Sequence, residues 1–198
     1  MIYPMNVVHT ILRIKKRLFG PAPAPDDFTG RNMFQRLLGT LNDQVFQVRN
    51  FRRTRSTFYR WLDADVCQVL NFQKSKYCIR ASVKFTANLG VYYRCLRSVS
   101  GVWDDPKRRH PLDCHYRERI GFLGSNPSDK WWTLDQYERI DDVINELRLL
   151  IDVAIQKLDS IGTAKTLYSA LRDGTIRGLT DRMRQDYLRV LEERQGDE

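Results

Sequence analysis

The spacing of apolar residues changes period twice along this chain. Over 5–19, Val8, Ile11, Leu12 and Leu18 recur at helical spacing and predict a short helix whose polar side carries Arg13, Lys15, Lys16 and Arg17. The run PAPAP at 21–25 ends it and makes a stiff spacer. Thr29 then stands as an N-cap. Phe34, Leu37, Leu38, Leu41, Val45 and Val48 follow at steps of three and four, predicting an amphipathic helix. In the middle the period falls to two. Ile79, Ala81, Val83, Phe85, Ala87, Leu89 and Val91 alternate with polar residues or Gly90, the mark of a long strand with one buried face. Shorter strands are predicted at 57–61 and 66–73, with a turn at Asp63, Ala64 and Asp65, then at 114–120 and at Trp131 and Trp132. Helical spacing returns at 133–159, where Thr133 and Gln136 read as a capping box, and the helix stops at Gly162. Two more helices are expected, at 163–171 and from Thr180 to about residue 194.

Helix first, consecutive strands next and segregated helices last make the class α+β. The expected architecture is an antiparallel sheet of about four to five strands packed on one side by helices, with an extra N-terminal helix. The long apolar helix at 133–159 is the element that covers the buried face. Residues 1–25 form a basic appendage and 26–198 a single domain. The first helix docks on the domain in the favoured reading; lying on a membrane surface is the alternative.

Composition changes this picture little, and charge changes it more. With 42% hydrophobic and 29% charged residues the chain is ordinary for a globular fold. Its four cysteines, Cys67, Cys78, Cys95 and Cys114, have no C-x-x-C spacing and read as reduced thiols of a cytoplasmic protein. No stretch is long and apolar enough for a transmembrane segment. The formal net charge of +9 is uneven: residues 1–132 hold 23 Lys/Arg against 10 Asp/Glu, and the remainder 10 against 14. Such an excess attracts an acidic protein partner, nucleic acid or phosphorylated ligands, or does no more than keep the protein soluble.

No glycine-rich phosphate loop, nucleophile elbow or paired zinc spacing is present, so no catalytic residue, metal or cofactor is predicted. The nearest approach to a metal site is His110, Asp113, Cys114 and His115. On a strand, however, Cys114 and His115 point to opposite faces. Asp104 with Asp105, and Asp141 with Asp142, are adjacent and do not converge. The polar face of the sheet carries more. Asn71, Gln73 and Ser75 share a side of the second strand, Lys84, Thr86 and Asn88 of the long one, and His115, Arg117 and Arg119 of the fourth. Trp131, Trp132 and Tyr92 would stand at its edge as stacking surfaces. If the strands align, these residues form a basic hydrogen-bonding surface. Alternatively it is the solvated face that antiparallel sheets commonly present.

The segments TFYRW (57–61), VLNFQKS (69–75), FTANLGV (85–91), RERIG (117–121) and WW (131–132) occur in an order and spacing that resemble a bacterial family named only as domain of unknown function 4304. The resemblance spans roughly 29–160. It departs at Asn50 and Phe51, where the family usually shows Gly-Phe. It implies no activity, but it marks Gln73, Ser75, Asn88, Arg117, Arg119, Trp131 and Trp132 as motif positions. By fold analogy alone it suggests an immunity- or defence-associated protein.

The reading that follows is a non-enzymatic binding module. It uses Gln73, Ser75, Lys84, Asn88, His115, Arg117, Arg119, Trp131 and Trp132 toward an acidic protein partner. A nucleic-acid binder is the alternative, with Arg80, Lys84, Arg117 and Arg119 on phosphate. An enzyme on a phosphorylated substrate, with His115 as acid/base, is the third reading.

Overall fold

The computed structural model describes residues 30–100, 111–137, 139–176 and 178–195. The predicted first helix, the spacer, Thr29, Asp104, Asp105 and His110 lie outside these. The class is α+β, as the pattern predicts, and among the described residues no helix is long and apolar enough to cross a membrane. Helix α1 (Gly30–Leu41) runs into a wider π turn and a 3-10 turn ending at Arg49. Strands β1 (Arg52–Thr54), β2 (Thr57–Trp61), β3 (Val66–Lys74) and β4 (Val83–Tyr93) follow as a meander. The short helix α2 (Arg97–Ser100) comes next, then β5 (Tyr116–Arg119) and β6 (Trp132–Leu134). Helices α3 (Ile140–Ser160), α4 (Ala164–Arg172) and α5 (Asp181–Gln195) complete the described fold.

All pairings are antiparallel, in the order β1-β2-β3-β4-β5. β6 also pairs with β4, along Val83, Lys84 and Phe85, so β5 and β6 share the far edge of the long strand. One face holds the core. Phe58, Phe72, Phe85 and Trp132 come from four different strands, and their rings meet in sequence at centroid distances of 5.7, 6.3 and 5.8 Å. Phe46 stacks on Phe58 at 3.9 Å, and Phe34 of α1 meets Phe85 edge-on at 5.3 Å. α3 closes this layer with Val143, Ile144, Leu147, Ile151, Ala154, Ile155 and Leu158. Each full burial of a large aliphatic contributes roughly 1.5–3 kcal/mol, so this stripe holds α3 on the sheet whatever its helix propensity.

Two sequence expectations are corrected. Thr133 does not cap a helix: it lies in β6 opposite Lys84, and α3 begins at Ile140 with no side-chain cap at Arg139. The free edge of β4 offers 132–134 ladder hydrogen bonds and buries both Trp132 and Leu134, which outweighs one local cap. Ile79 and Ala81 are not strand residues. They are exposed in the β3–β4 loop, closed by mutual hydrogen bonds between Ile79 and Ser82, and the strand instead runs on to Tyr93. Cys67 stands opposite Tyr92 and is buried, and Cys78 lies half-buried in the β3–β4 loop. The short edge strand β1 is an addition. Thr163 and Thr166 make a reciprocal capping box at the start of α4, and Thr180 Oγ1 accepts from the Met183 N–H at 3.2 Å at the start of α5.

Candidate binding face of the sheet

Register decides what the second face of the sheet presents. Pairing of Asn71 with Asn88 and of Asn88 with Arg119 puts these three side chains in one row. The neighbouring row runs Tyr59, Val69, Gly90, Arg117, and the next Trp61, Cys67, Tyr92. In the other direction come Gln73 with Thr86, then Lys84 with Thr133. The face therefore has two halves.

One half is closed. Cys67, Val69, Tyr92 and Cys114 are buried together, with Tyr59 and Trp61 packed at their side. The turn Pro111–Asp113 and Cys114 lie over this half. Gly90 makes that approach possible: a Cβ there would sit 2.7 Å from the Cys114 Cβ, inside any real contact distance. His115 goes under the same cover. Its Nδ1 accepts the Tyr93 N–H at 3.0 Å, and its ring lies among Tyr92, Tyr93 and Tyr187. Burial lowers its pKa to about 4, against a smaller upward pull from a hydrogen bond to the Leu96 backbone. It is a neutral core histidine.

The other half is open and polar. Asn88 Nδ2 donates to Gln73 Oε1 at 3.1 Å, and Asn71 Nδ2 to Thr57 Oγ1 at 2.8 Å. Thr86, fully buried, donates to the Lys130 carbonyl at 2.8 Å and draws the segment leading into β6 across the face. Trp131 is half-buried there, with the Arg119 guanidinium 5.3 Å and the Lys84 ammonium 5.9 Å from its ring. Arg119 also pairs with Asp129. Arg117 is exposed and, among the described residues, donates no hydrogen bond and forms no ion pair. Guanidinium, ammonium, carboxamide and indole groups thus share one surface. They suit a ligand with carboxylate or phosphate oxygens and an apolar part.

Of the predicted residues, the fold brings Gln73, Lys84, Asn88, Arg117, Arg119 and Trp131 together. Ser75 stands at the end of β3, where its Oγ accepts the Tyr77 N–H and serves the turn. His115 and Tyr92 belong to the closed half. Trp132 lies on the opposite face, its indole N–H donated to Glu146 Oε2 at 3.0 Å. Adjacent strand residues alternate faces, so the two tryptophans cannot serve one surface. Sequence reasoning missed Asp129 and Lys130, whose place depends on where the 124–131 loop crosses. It also missed the braces behind the sheet. Gln68, wholly buried, accepts from Arg60 at 2.7 Å and donates to Asp159 at 2.9 Å, and Arg60 pairs with Asp159.

Fold and face together define an α+β domain with one sheet face buried under helices and the other half closed, half open and basic. Residues 43–159 match the family model described as Domain of unknown function (DUF4304), more than half of the chain, and the chain belongs to that family. The match runs from the turn after α1 through the whole sheet to the last residues of α3. No curated protein and no solved structure matches the chain. Two of the motif pieces, Q-K-S at 73–75 and F-x-x-N-L-G at 85–90, meet in the fold through the Asn88–Gln73 hydrogen bond.

Proposed function

We propose that this protein is a non-enzymatic binding module that takes an acidic protein partner on the open half of its second sheet face. The carrying observation is the grouping of Lys84 and Arg119 about half-buried Trp131, with Arg117 on the same sheet face and Asp129 paired to Arg119. Magnitudes favour protein over nucleic acid. With Asp129 set against Arg119, the face keeps an excess of about two cations. That is few beside the six to ten phosphate contacts of a typical duplex binder. Trp, Arg and Tyr are also the residues that anchor protein interfaces. An immunity- or defence-type inhibitor is one instance of this reading. Single-stranded nucleic acid is the second reading, favoured by Trp131, whose ring could stack a base.

The test is fluorescence anisotropy of a labelled Glu/Asp-rich peptide bearing one Leu or Phe, and of short RNA and DNA probes, across a salt series. The reading expects peptide binding that falls with salt and is lost in Arg117→Ala/Arg119→Ala. Oligonucleotide binding lost in the same variant, without peptide binding, would transfer the face to the second reading. Peptide binding unaffected by the double substitution would remove the face from consideration.

A further inference from the structure

The β3–β4 loop has features that the sheet face does not absorb. From Lys74 to Lys84 the chain reads KSKYCIRASVK, with the cations Lys74, Lys76, Arg80 and Lys84 and no acid. Two large apolar side chains stand out of it, Tyr77 at 78% and Ile79 at 68% exposure. The loop is braced rather than loose. Tyr77 N–H donates to Ser75 Oγ at 3.2 Å, Ile79 and Ser82 exchange backbone hydrogen bonds at 3.0 and 3.2 Å, and Cys78 Sγ donates to the Lys84 carbonyl at 3.4 Å. Cys78 packs against the core, which leaves its neighbours Tyr77 and Ile79 held outward on either side. Water gains nothing from this arrangement: two apolar groups are kept wet by a structured, wholly basic tip.

We infer that this tip docks the protein on an anionic lipid surface. Tyr77 and Ile79 enter the headgroup region, and Lys74, Lys76 and Arg80 face lipid phosphates. An aromatic residue with a polar end and a short aliphatic one, ringed by cations, combine the two attractions of peripheral membrane contacts: apolar insertion and surface potential. A nucleic-acid backbone would use the cations and leave Ile79 without a partner. Gly30, where the described fold begins, donates its N–H to the Arg80 carbonyl at 2.9 Å.

The full chain is tested by flotation with vesicles of phosphatidylcholine alone and with roughly one lipid in three replaced by phosphatidylglycerol. Binding is expected on the anionic vesicles only. Lys74→Gln/Lys76→Gln/Arg80→Gln should weaken it roughly a hundredfold, at about fivefold per cation. Tyr77→Ser/Ile79→Ser should weaken it while leaving its salt dependence in place, and Arg117→Ala/Arg119→Ala should bind as the wild type does. The loop side chains and Arg117 are exposed and Arg119 is half-exposed, and circular dichroism checks that each variant is folded. Equal binding to both vesicle types, or binding unchanged in the loop variants, overturns the inference. So does capture of an oligonucleotide by the loop without vesicle binding, which would assign the tip to nucleic acid.

Discussion

Asn50 adopts φ +62° and ψ +22°, and its N–H closes the turn after α1 by donating to the Gln47 carbonyl at 3.0 Å. This left-handed conformation suits Gly best and Asn next. Asn50 and Phe51 stand where the resemblance leads one to expect Gly-Phe. At the backbone it is a substitution within one conformational class. His115 shows the reverse limit. Strand alternation put it beside Arg117 and Arg119 on the polar face, but the chain bends under its own cover before β5 and takes the imidazole inside. The consequence is a pH dependence. The ordinary value of 6.5 applies to the unfolded chain and about 4 to the fold, so between these values the unfolded state binds more protons. Stability is therefore full above pH 6.5 and falls as the pH drops toward 4, by on the order of 3 kcal/mol. Urea titrations across that window should show the decline. His115→Asn, which keeps an acceptor for the Tyr93 N–H, should be less stable at pH 7 and should lack this part of the slope. An undiminished slope would place the titration elsewhere.

Elements were legible where the pattern is long and one-sided. The stripe of α3 and the alternation within β4 need no neighbour to be recognised, because each has its own period. Short elements depend on partners. β1 is three residues of Arg, Arg and Thr, with no apolar rhythm to read. β6 exists because β4 has a free edge at Val83, Lys84 and Phe85, a fact of topology that no local spacing carries. The join between β6 and α3 was likewise invisible. Glu146 accepts from the Trp132 indole and from the Lys130 ammonium. Burial pushes its carboxyl up, but these two donors and the Lys130 charge prevail and hold it below the usual value of 4.5. Its contribution is present above that pH and is lost as the pH falls below it, a window that opens as that of His115 is closing. Glu146→Leu removes the acceptor of a buried indole N–H and should cost about 1–3 kcal/mol in chemical denaturation. Glu146→Gln retains a carbonyl for the indole and should lose less. Equal losses in the two variants would mean that the charge, not the hydrogen bond, ties the strand to the helix.

At the scale of the whole molecule, the sequence supplied the charge imbalance and the three polar strand faces, and register supplied the rest. Aligning Asn71, Asn88 and Arg119 in one row also places Cys67, Val69 and Tyr92 on that face, so the surface expected to be polar throughout is apolar and covered over half its length. The two halves answer to different constraints. In the closed half Gly90 admits Cys114 with no room for a side chain. In the open half Arg117 and Arg119 touch little that the fold needs. An exposed ion pair such as Arg119–Asp129 contributes roughly 0.2–1 kcal/mol, and a half-exposed cation over an indole a similar amount. Arg117→Ala/Arg119→Ala should therefore shift the unfolding free energy by about 1 kcal/mol or less. Gly90→Val should cost well over 2 kcal/mol, since neither backbone at that crossing can yield cheaply. Paired denaturation curves decide it. If the arginine variant unfolds as readily as the glycine variant, those arginines hold the sheet together and the open half is structural, which removes the ground for a binding face. If it is as stable as the wild type, the cations are free to meet a partner, and loss of peptide binding in that variant cannot be ascribed to unfolding.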